Sequence, residues 1–309
     1  MTFLEIRQRI GEVMGVDSTD TTTDPNSTMV TKLKEWVNSR YRLLAGKRSW
    51  NWRIQDTIIQ TSADISTGTV TATKASTTIE FSSGPVASAA YWFIQFSDTD
   101  DWYQISAHTA GETEATIANA YLGTTSATLT YTLRKVYYSL PTTIGKVLNA
   151  KQTRDDITLK YLSPRMLDQY VPDRTRTGEP EFYSIVGLDQ AVAATANKQY
   201  RVEFYPVPST TMNINFRSYA IPVELSADGD IPIIPEAFHD YLVWDVLSTY
   251  GFMFLDDTRL SAAKAEKNDI YDEMRRNDVA TEHTPVRRSY DVNLEQTESF
   301  LSSLDTPVE

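Results

Sequence analysis

The sequence predicts an α+β protein. Its core is a helical bundle, built from an N-terminal helical hairpin and C-terminal helices. That core carries an antiparallel β-meander and an inserted small β-barrel or sandwich domain. Three observations predict this class. Apolar residues recur at helical spacing near both ends of the chain, and they alternate with polar residues through a Thr- and Ser-rich middle. Between them DGDIPIIPEAFHDYLVWDVLSTYGFMF, Asp228 to Phe254, switches from a segment that cannot be helical to one that can hardly be anything else. The expected parts are an adaptor-like core over 1–56 and 136–279, the inserted β-domain over 57–135, and an extended C-terminal arm over 280–309.

The first helix is carried by Phe3, Leu4, Ile6, Ile10, Val13 and Met14, with Gly15 placed to end it. Ser27 is the expected N-cap of the second, where Val30, Leu33, Trp36, Val37, Tyr41 and Leu44 form one wide apolar stripe and Gly46 closes the helix. Trp50-Asn51-Trp52 follows. In an extended segment these two indoles point to the same face, as core filler where helices meet strands. VTATK, TTIEFSS, YWFIQFS, WYQISA, EATIAN and ATLTYTLRK then read as five or six short strands.

ITLKYL is a further strand, and Ser163-Pro164 starts a short helix, RMLDQY. EFYSIVG, QYRVEFYP and MNINFRSYAIP read as the three strands of the meander. Gly229, Pro232 and Pro235 then hold the chain extended, and Pro235 suits the first position of a helix with Glu236 in its first turn. From Phe238 to Leu255 that helix is apolar nearly all round, so it is buried on most faces, in the subunit core or against a neighbouring subunit. A last amphipathic helix runs from about Thr258 to Asn277, with Leu260, Ala263, Ile270, Tyr271 and Met274 on one face. Beyond it the chain is polar until Phe300, Leu301 and Leu304, as expected of a tail that orders on a partner.

Composition narrows the function. The 309 residues can bury a sizeable core, and the absence of cysteine excludes a disulfide framework, a thiolate zinc site and a cysteine nucleophile. A net charge of -12 repels a phosphate backbone, which argues against a nucleic-acid footprint, while an acidic wall lets DNA slide past without sticking. MTFLEIRQRIGEVMG lacks the apolar core of a secretory signal, and no apolar run approaches the ~20 residues of a membrane span, so a soluble protein made in a reducing cytoplasm is expected.

No catalytic constellation stands out. The three histidines, His108, His239 and His283, fall in a β-segment, a helix start and the tail, and GxSxG, HExxH, P-loop and GxGxxG motifs are missing. His239 beside Asp240 reads as an ordinary polar pair. Asp98, Asp100 and Asp101 share part of a calcium-loop spacing without its glycine and distal glutamate, and read as a solvated turn, as do Asp228 and Asp230 around Gly229. Tyr91, Trp92, Trp102 and Tyr103 are candidates for stacking on sugar rings, although alternating aromatics in short strands are ordinarily core. No catalytic residue, cofactor or metal ligand is assigned.

The order of parts resembles a known family. A helical hairpin ends in WNW, a Thr/Ser-rich β-module and LPTTIGKV follow, RTRTGEPEFYSIVG precedes a strand ending FYPVPS, and NFRSYAIPVELSADGDIPIIPEAFHDYLVWDVLSTYGFMFLDD leads to the last helix. This is similar to the head-to-tail adaptor, or connector, proteins of tailed bacteriophages, including tail tubular protein A. Its most specific pieces are Tyr205 to Ser209 and Ala220 to Tyr241.

The resemblance implies a non-enzymatic virion protein of the neck, present in the host cytoplasm during assembly. It implies a ring, usually dodecameric, that docks beneath the portal protein, extends the DNA channel and offers a platform to tail and nozzle proteins. DNA would only pass through, and no membrane is involved. The tail becomes the portal-docking arm, with Arg287, Arg288, Tyr290, Phe300 and Leu301 as anchors. Trp36, Trp50, Trp52, Phe238, Trp244, Tyr250 and Phe254 become the packing residues of core and ring contact. The alternative is a tail or receptor-binding protein that takes carbohydrate through its β-domain.

Overall fold

The computed structural model describes residues 1–16, 27–85, 87–154, 157–171, 176–188 and 199–281. Its helices are α1 (Phe3–Met14), α2 (Ser27–Lys47), α3 (Pro164–Tyr170), α4 (Asp240–Tyr250) and α5 (Asp257–Thr281). The fold is mixed α+β, and the chain divides into a helical unit, Met1–Trp52 with the chain from Glu224 on, and a sheet unit, Arg53–Val223.

In the helical unit, α1 opens on a capping box: the Thr2 side chain accepts the Glu5 amide, and the Glu5 carboxylate accepts the Thr2 amide. It closes on Gly15 at φ 71°, a left-handed conformation that a side chain would strain. Phe3, Ile6, Ile10 and Met14 are buried, and Val13 falls off the stripe. On α2, Leu33, Val37, Tyr41 and Leu44 are buried. Gly46 does not end this helix, which continues to Lys47.

WNW is not extended. Asn51–Arg53 form a 3-10 turn, because Asn51 is held by α5: its amide donates to the Asp278 carboxylate at 2.8 Å and its side chain to the Asp278 carbonyl at 3.0 Å. The indoles of Trp50 and Trp52 still meet, stacked with centroids 5.8 Å apart, but Trp50 is fully buried and Trp52 only half-buried.

The apolar segment after Pro235 is also subdivided. Pro235 precedes a 3-10 turn, Glu236–Phe238, and α4 starts only at Asp240. The His239 ring reaches back to the Ile234 carbonyl at 2.8 Å, which keeps that turn tight. α4 ends at Tyr250 rather than running through Phe254, since Gly251 is a poor helix residue and Asp256 offers its carboxylate to the Arg259 amide at 2.7 Å, capping α5 instead. A second 3-10 turn, Gly251–Met253, joins the two helices. α5 runs to Thr281, two residues into the stretch expected to be an arm.

In the sheet unit the strands are β1 (Ile54–Gln60), β2 (Val70–Ala72), β3 (Thr78–Phe81), β4 (Phe93–Phe96), β5 (Trp102–His108), β6 (Glu114–Ile117), β7 (Ser126–Leu129), β8 (Tyr131–Arg134), β9 (Tyr137–Ser139), β10 (Ile144–Gln152), β11 (Thr158–Tyr161), β12 (Phe182–Leu188), β13 (Tyr200–Tyr205) and β14 (Asn213–Ala220). They form two seven-stranded sheets, in the orders β1-β14-β10-β11-β12-β13-β9 and β7-β2-β3-β6-β5-β4-β8. The three strands expected as a meander do not stay together. β12 and β13 form an antiparallel pair, but β14 pairs with β1 and β10, and β11 meets β12 in parallel.

Two local signals shape the second sheet. ATLTYTLRK divides at Thr130 into β7, which joins β2, and β8, which joins β4, so seven strands form instead of five or six. The in–out alternation of β5 breaks at a register shift between Ile105 and Ala107. Each sheet has its own core, around Ile94, Phe96, Ile105 and Leu133 in the second and around Tyr138, Phe204, Ile214 and Phe216 in the first. Ser163 caps α3 by accepting the Met166 amide, with Pro164 at the first position.

Candidate functional site

The extended strap before α4 is fixed to the first two helices by backbone chemistry. The Asp230 and Asp228 carbonyls accept the amides of Phe3 (2.8 Å) and Leu4 (3.1 Å), two of the donors that a helix start leaves without an intrahelical partner. Asn38 on α2 grips Leu225 both ways, donating to its carbonyl at 2.8 Å and accepting its amide at 2.9 Å. The Ile233 amide donates to the Tyr41 hydroxyl at 3.0 Å. Leu225 and Ile234 are buried as pegs, while Ile231 faces solvent at 64% exposure. Asp230 turns the strap: its carboxylate accepts the amides of Ser226 and Ala227, which holds it below the usual carboxylate range. The fully buried Arg7 lies over the Phe3 ring and pairs with Asp228.

α4 is the hub that this strap leads into. Asp245, fully buried on α4, receives two hydrogen bonds from the Arg40 guanidinium, both at 2.7 Å, and lies 3.9 Å from the Lys267 ammonium of α5. The hydrogen bonding to Asp245 raises the Arg40 pKa against the effect of its own burial. One turn away, Lys47 donates to the Tyr241 hydroxyl at 3.1 Å and lies over the Tyr241 and Tyr271 rings. Burial lowers the Lys47 pKa and raises that of Tyr241. Charge-assisted hydrogen bonds thus tie α2 to α4, and the Lys267 ion pair and the Lys47–Tyr271 contact bring in α5.

Aromatic contacts extend the ladder in both directions. Trp36 stacks on Tyr250 at 4.8 Å and 7°, and Trp50 meets Tyr271 edge-on at 5.9 Å. The pairs 36–250, 40–245 and 47–241 show α2 running antiparallel to α4; 245–267 and 241–271 show the same for α5. At the start of α4 and the end of α5 lies a cavity of about 310 Å³, lined by Asn51, Trp52, Pro235, Phe238, Met274, Asn277 and Asp278. At the other end the turn after α4 puts Phe252 and Met253 in solvent, 63% and 59% exposed.

The residues singled out for packing all join the core of the helical unit. Trp50 and Phe238 are buried within it, and Trp36, Trp52, Trp244, Tyr250 and Phe254 pack against it while half-buried. Arg287, Arg288, Tyr290, Phe300, Leu301 and His283 lie outside the described residues. His108 sits in β5 with both ring nitrogens engaged by backbone, Nδ1 accepting the Ala89 amide and Nε2 at 3.0 Å from the Glu112 carbonyl.

Burial raises the Asp98 pKa, but hydrogen bonds from the Tyr121 hydroxyl (2.5 Å) and the Thr124 amide (2.9 Å) outweigh it and leave the pKa lowered. Among the described residues no group of three His, Asp or Glu side chains is set to hold a metal, and no helix is long and apolar enough to cross a membrane. Of the candidate sugar platform, Tyr103 is buried in the second sheet and Trp102 lies under the Arg134 guanidinium, itself bonded to Asp64. Sequence reasoning missed Asn38, Arg40 and Asp245, polar residues on helical faces whose partners lie far along the chain. It also missed a 550 Å³ groove on the first sheet, bordered by Tyr161, Tyr183, Tyr200 and Lys146.

Compared with known proteins, residues 86–289 match the family model described as SU10 adaptor protein. No curated protein matches the chain.

Proposed function

Because the chain belongs to the SU10 adaptor protein family, and is thereby a structural adaptor of a phage, we propose that it assembles as a ring, a dodecamer, in the virion neck. The ring docks beneath the portal protein, extends the DNA channel and gives tail and nozzle proteins their platform. The closer likeness, to tail tubular protein A, rests on Tyr205 to Ser209 and Ala220 to Tyr241.

One observation supports assembly most directly. The helical unit leaves Ile231, Phe252 and Met253 in solvent beside a core clamped by the Arg40–Asp245 pair. Phe252 and Met253 are adjacent and both in solvent, as suits an interaction surface, and a preorganised unit has less ordering entropy to lose when such a surface is covered. The net charge of -12 supports a channel that repels the DNA backbone and binds no specific sequence. In this reading the arm over 280–309 reaches the portal through Arg287, Arg288, Tyr290, Phe300 and Leu301. The test is sedimentation with the purified portal ring of the same phage. The full chain should travel with the portal, and free sedimentation of both at saturating adaptor would reject the reading.

A further inference from the structure

Resting on the adaptor reading, we propose that neighbouring copies join head to tail through the helical unit. Phe252 and Met253 of one copy sit in the cavity that Trp52, Pro235, Phe238 and Met274 form in the next.

The knob exists because α4 stops at Gly251. A continued helix would have carried Phe252 and Met253 onward along α4; the 3-10 turn instead presents both side chains to solvent. The hole, of about 310 Å³, is open and walled by an indole, a phenyl ring, a proline ring and a thioether. Such a surface takes an apolar side chain from outside.

Their placement selects the occupant. Tyr250 adjoins the knob and stacks on Trp36, whereas Phe238 and Met274 at the hole adjoin the Tyr241–Tyr271 and Trp50–Tyr271 contacts. Knob and hole therefore lie at opposite ends of the α4–α5 hairpin, about 16 Å apart by the rise of the 11 residues of α4. A chain cannot fill its own hole with its own knob. A second copy can, and a contact between two different patches of one chain is the heterologous kind that repeats around a rotation axis.

Charge neither selects nor opposes this contact. Beside the knob Asp256 and Asp257 are exposed, with Asp256 3.8 Å from the exposed Arg259. Beside the hole Glu236, Asp272 and Glu273 are exposed as well as Arg275 and Arg276, and Arg48 is 3.8 Å from the buried Asp278. The contact is therefore carried by the apolar side chains of the knob and the hole.

The chain has no cysteine, so a paired substitution reports this contact without background. Met253→Cys and Asn277→Cys are both at exposed positions, and they can be bridged only when their Cα atoms come within about 7 Å. Full-length protein carrying both is assembled on the portal ring, oxidised, and run on a non-reducing gel. The expected result is a ladder of linked multimers for the double variant. An equal mixture of the two single variants should give dimers, and either single variant alone should give monomers.

A collar on the portal by electron microscopy with only monomers on the gel overturns the proposal while the adaptor reading stands. Absence of any collar with the unsubstituted chain removes the adaptor reading, and the proposal with it. Phe252→Asp supplies an independent check. It should keep the far-UV spectrum and lower ring yield at least tenfold, and an unchanged yield overturns the proposal.

Discussion

Replacing Arg40 by alanine removes both hydrogen bonds that the Asp245 carboxylate receives at 2.7 Å, and it does so at a carboxylate only 1% exposed. Hydrogen bonds to a charged group contribute about 1.5–3 kcal/mol each. Removing one partner of a buried ion pair costs about 3–5 kcal/mol, because the remaining charge is stranded. Lys267, 3.9 Å from the same carboxylate, recovers part of that loss, which places the expected cost near the lower end, about 3 kcal/mol. The double variant Arg40→Met with Asp245→Leu removes the charge as well as its partner, and should be within about 1 kcal/mol of the starting protein.

The assay is urea unfolding followed by the far-UV helical signal. α1, α2, α4 and α5 all belong to the helical unit, as do Trp36, Trp50, Trp52 and Trp244, whereas Trp92 and Trp102 report on the sheet unit. Two units need not unfold together, so the helical transition is fitted alone, with a lower midpoint and an unchanged slope expected. A loss under about 1 kcal/mol for Arg40→Ala, or a double variant weaker than the single one, would refute the argument that a stranded buried charge sets the cost.

Three further outcomes are expected. Trp50→Ala deletes a fully buried indole whose N–H donates to the Leu44 carbonyl at 2.9 Å, and should cost about 3–5 kcal/mol in the same urea titration. Burial pushes the Tyr138 pKa from 10.0 up to about 12. The neutral phenol is therefore the form the fold favours; its contribution is intact below pH 10, declines above it and is gone once pH passes about 12. Tyr138→Phe should flatten the loss of stability measured across that window. A chain ended after Thr281 keeps Asp278 and its bonds to Asn51, so it should retain the spectrum and midpoint of the full chain while failing to sediment with the portal.

Much of the helical architecture is legible in the sequence, because burial there follows a local period. Phe3, Ile6, Ile10 and Met14, and Leu33, Val37, Tyr41 and Leu44, are read off a 3.6-residue repeat and are buried as that repeat requires. The failures come from partners distant in the chain. Asp278 bends Asn51–Arg53 into a turn from 227 residues away, and Asn38 holds Leu225 across 187. No window of neighbouring residues contains either contact. The strand pattern likewise identifies β12, β13 and β14 but not that β14 leaves its neighbours for β1 and β10, since alternation fixes which face is buried and not which strand lies alongside. Of the candidate site, the aromatic packing residues such as Trp36, Trp50, Phe238 and Trp244 are visible in the sequence as hydrophobic payload. The Arg40–Asp245 clamp was not, because on sequence each is an ordinary charged position, and the cavity exists only once the ends of α4 and α5 meet.

The proposed collar of this chain on a portal can be looked for directly. The direct measurement is cryo-electron microscopy of the full-length protein mixed with the purified portal ring of the same phage. A ring of subunits continuing the portal channel, with the Phe252–Met253 turn of each copy against its neighbour, is the predicted density. Bare portal rings at high protein concentration would contradict the account.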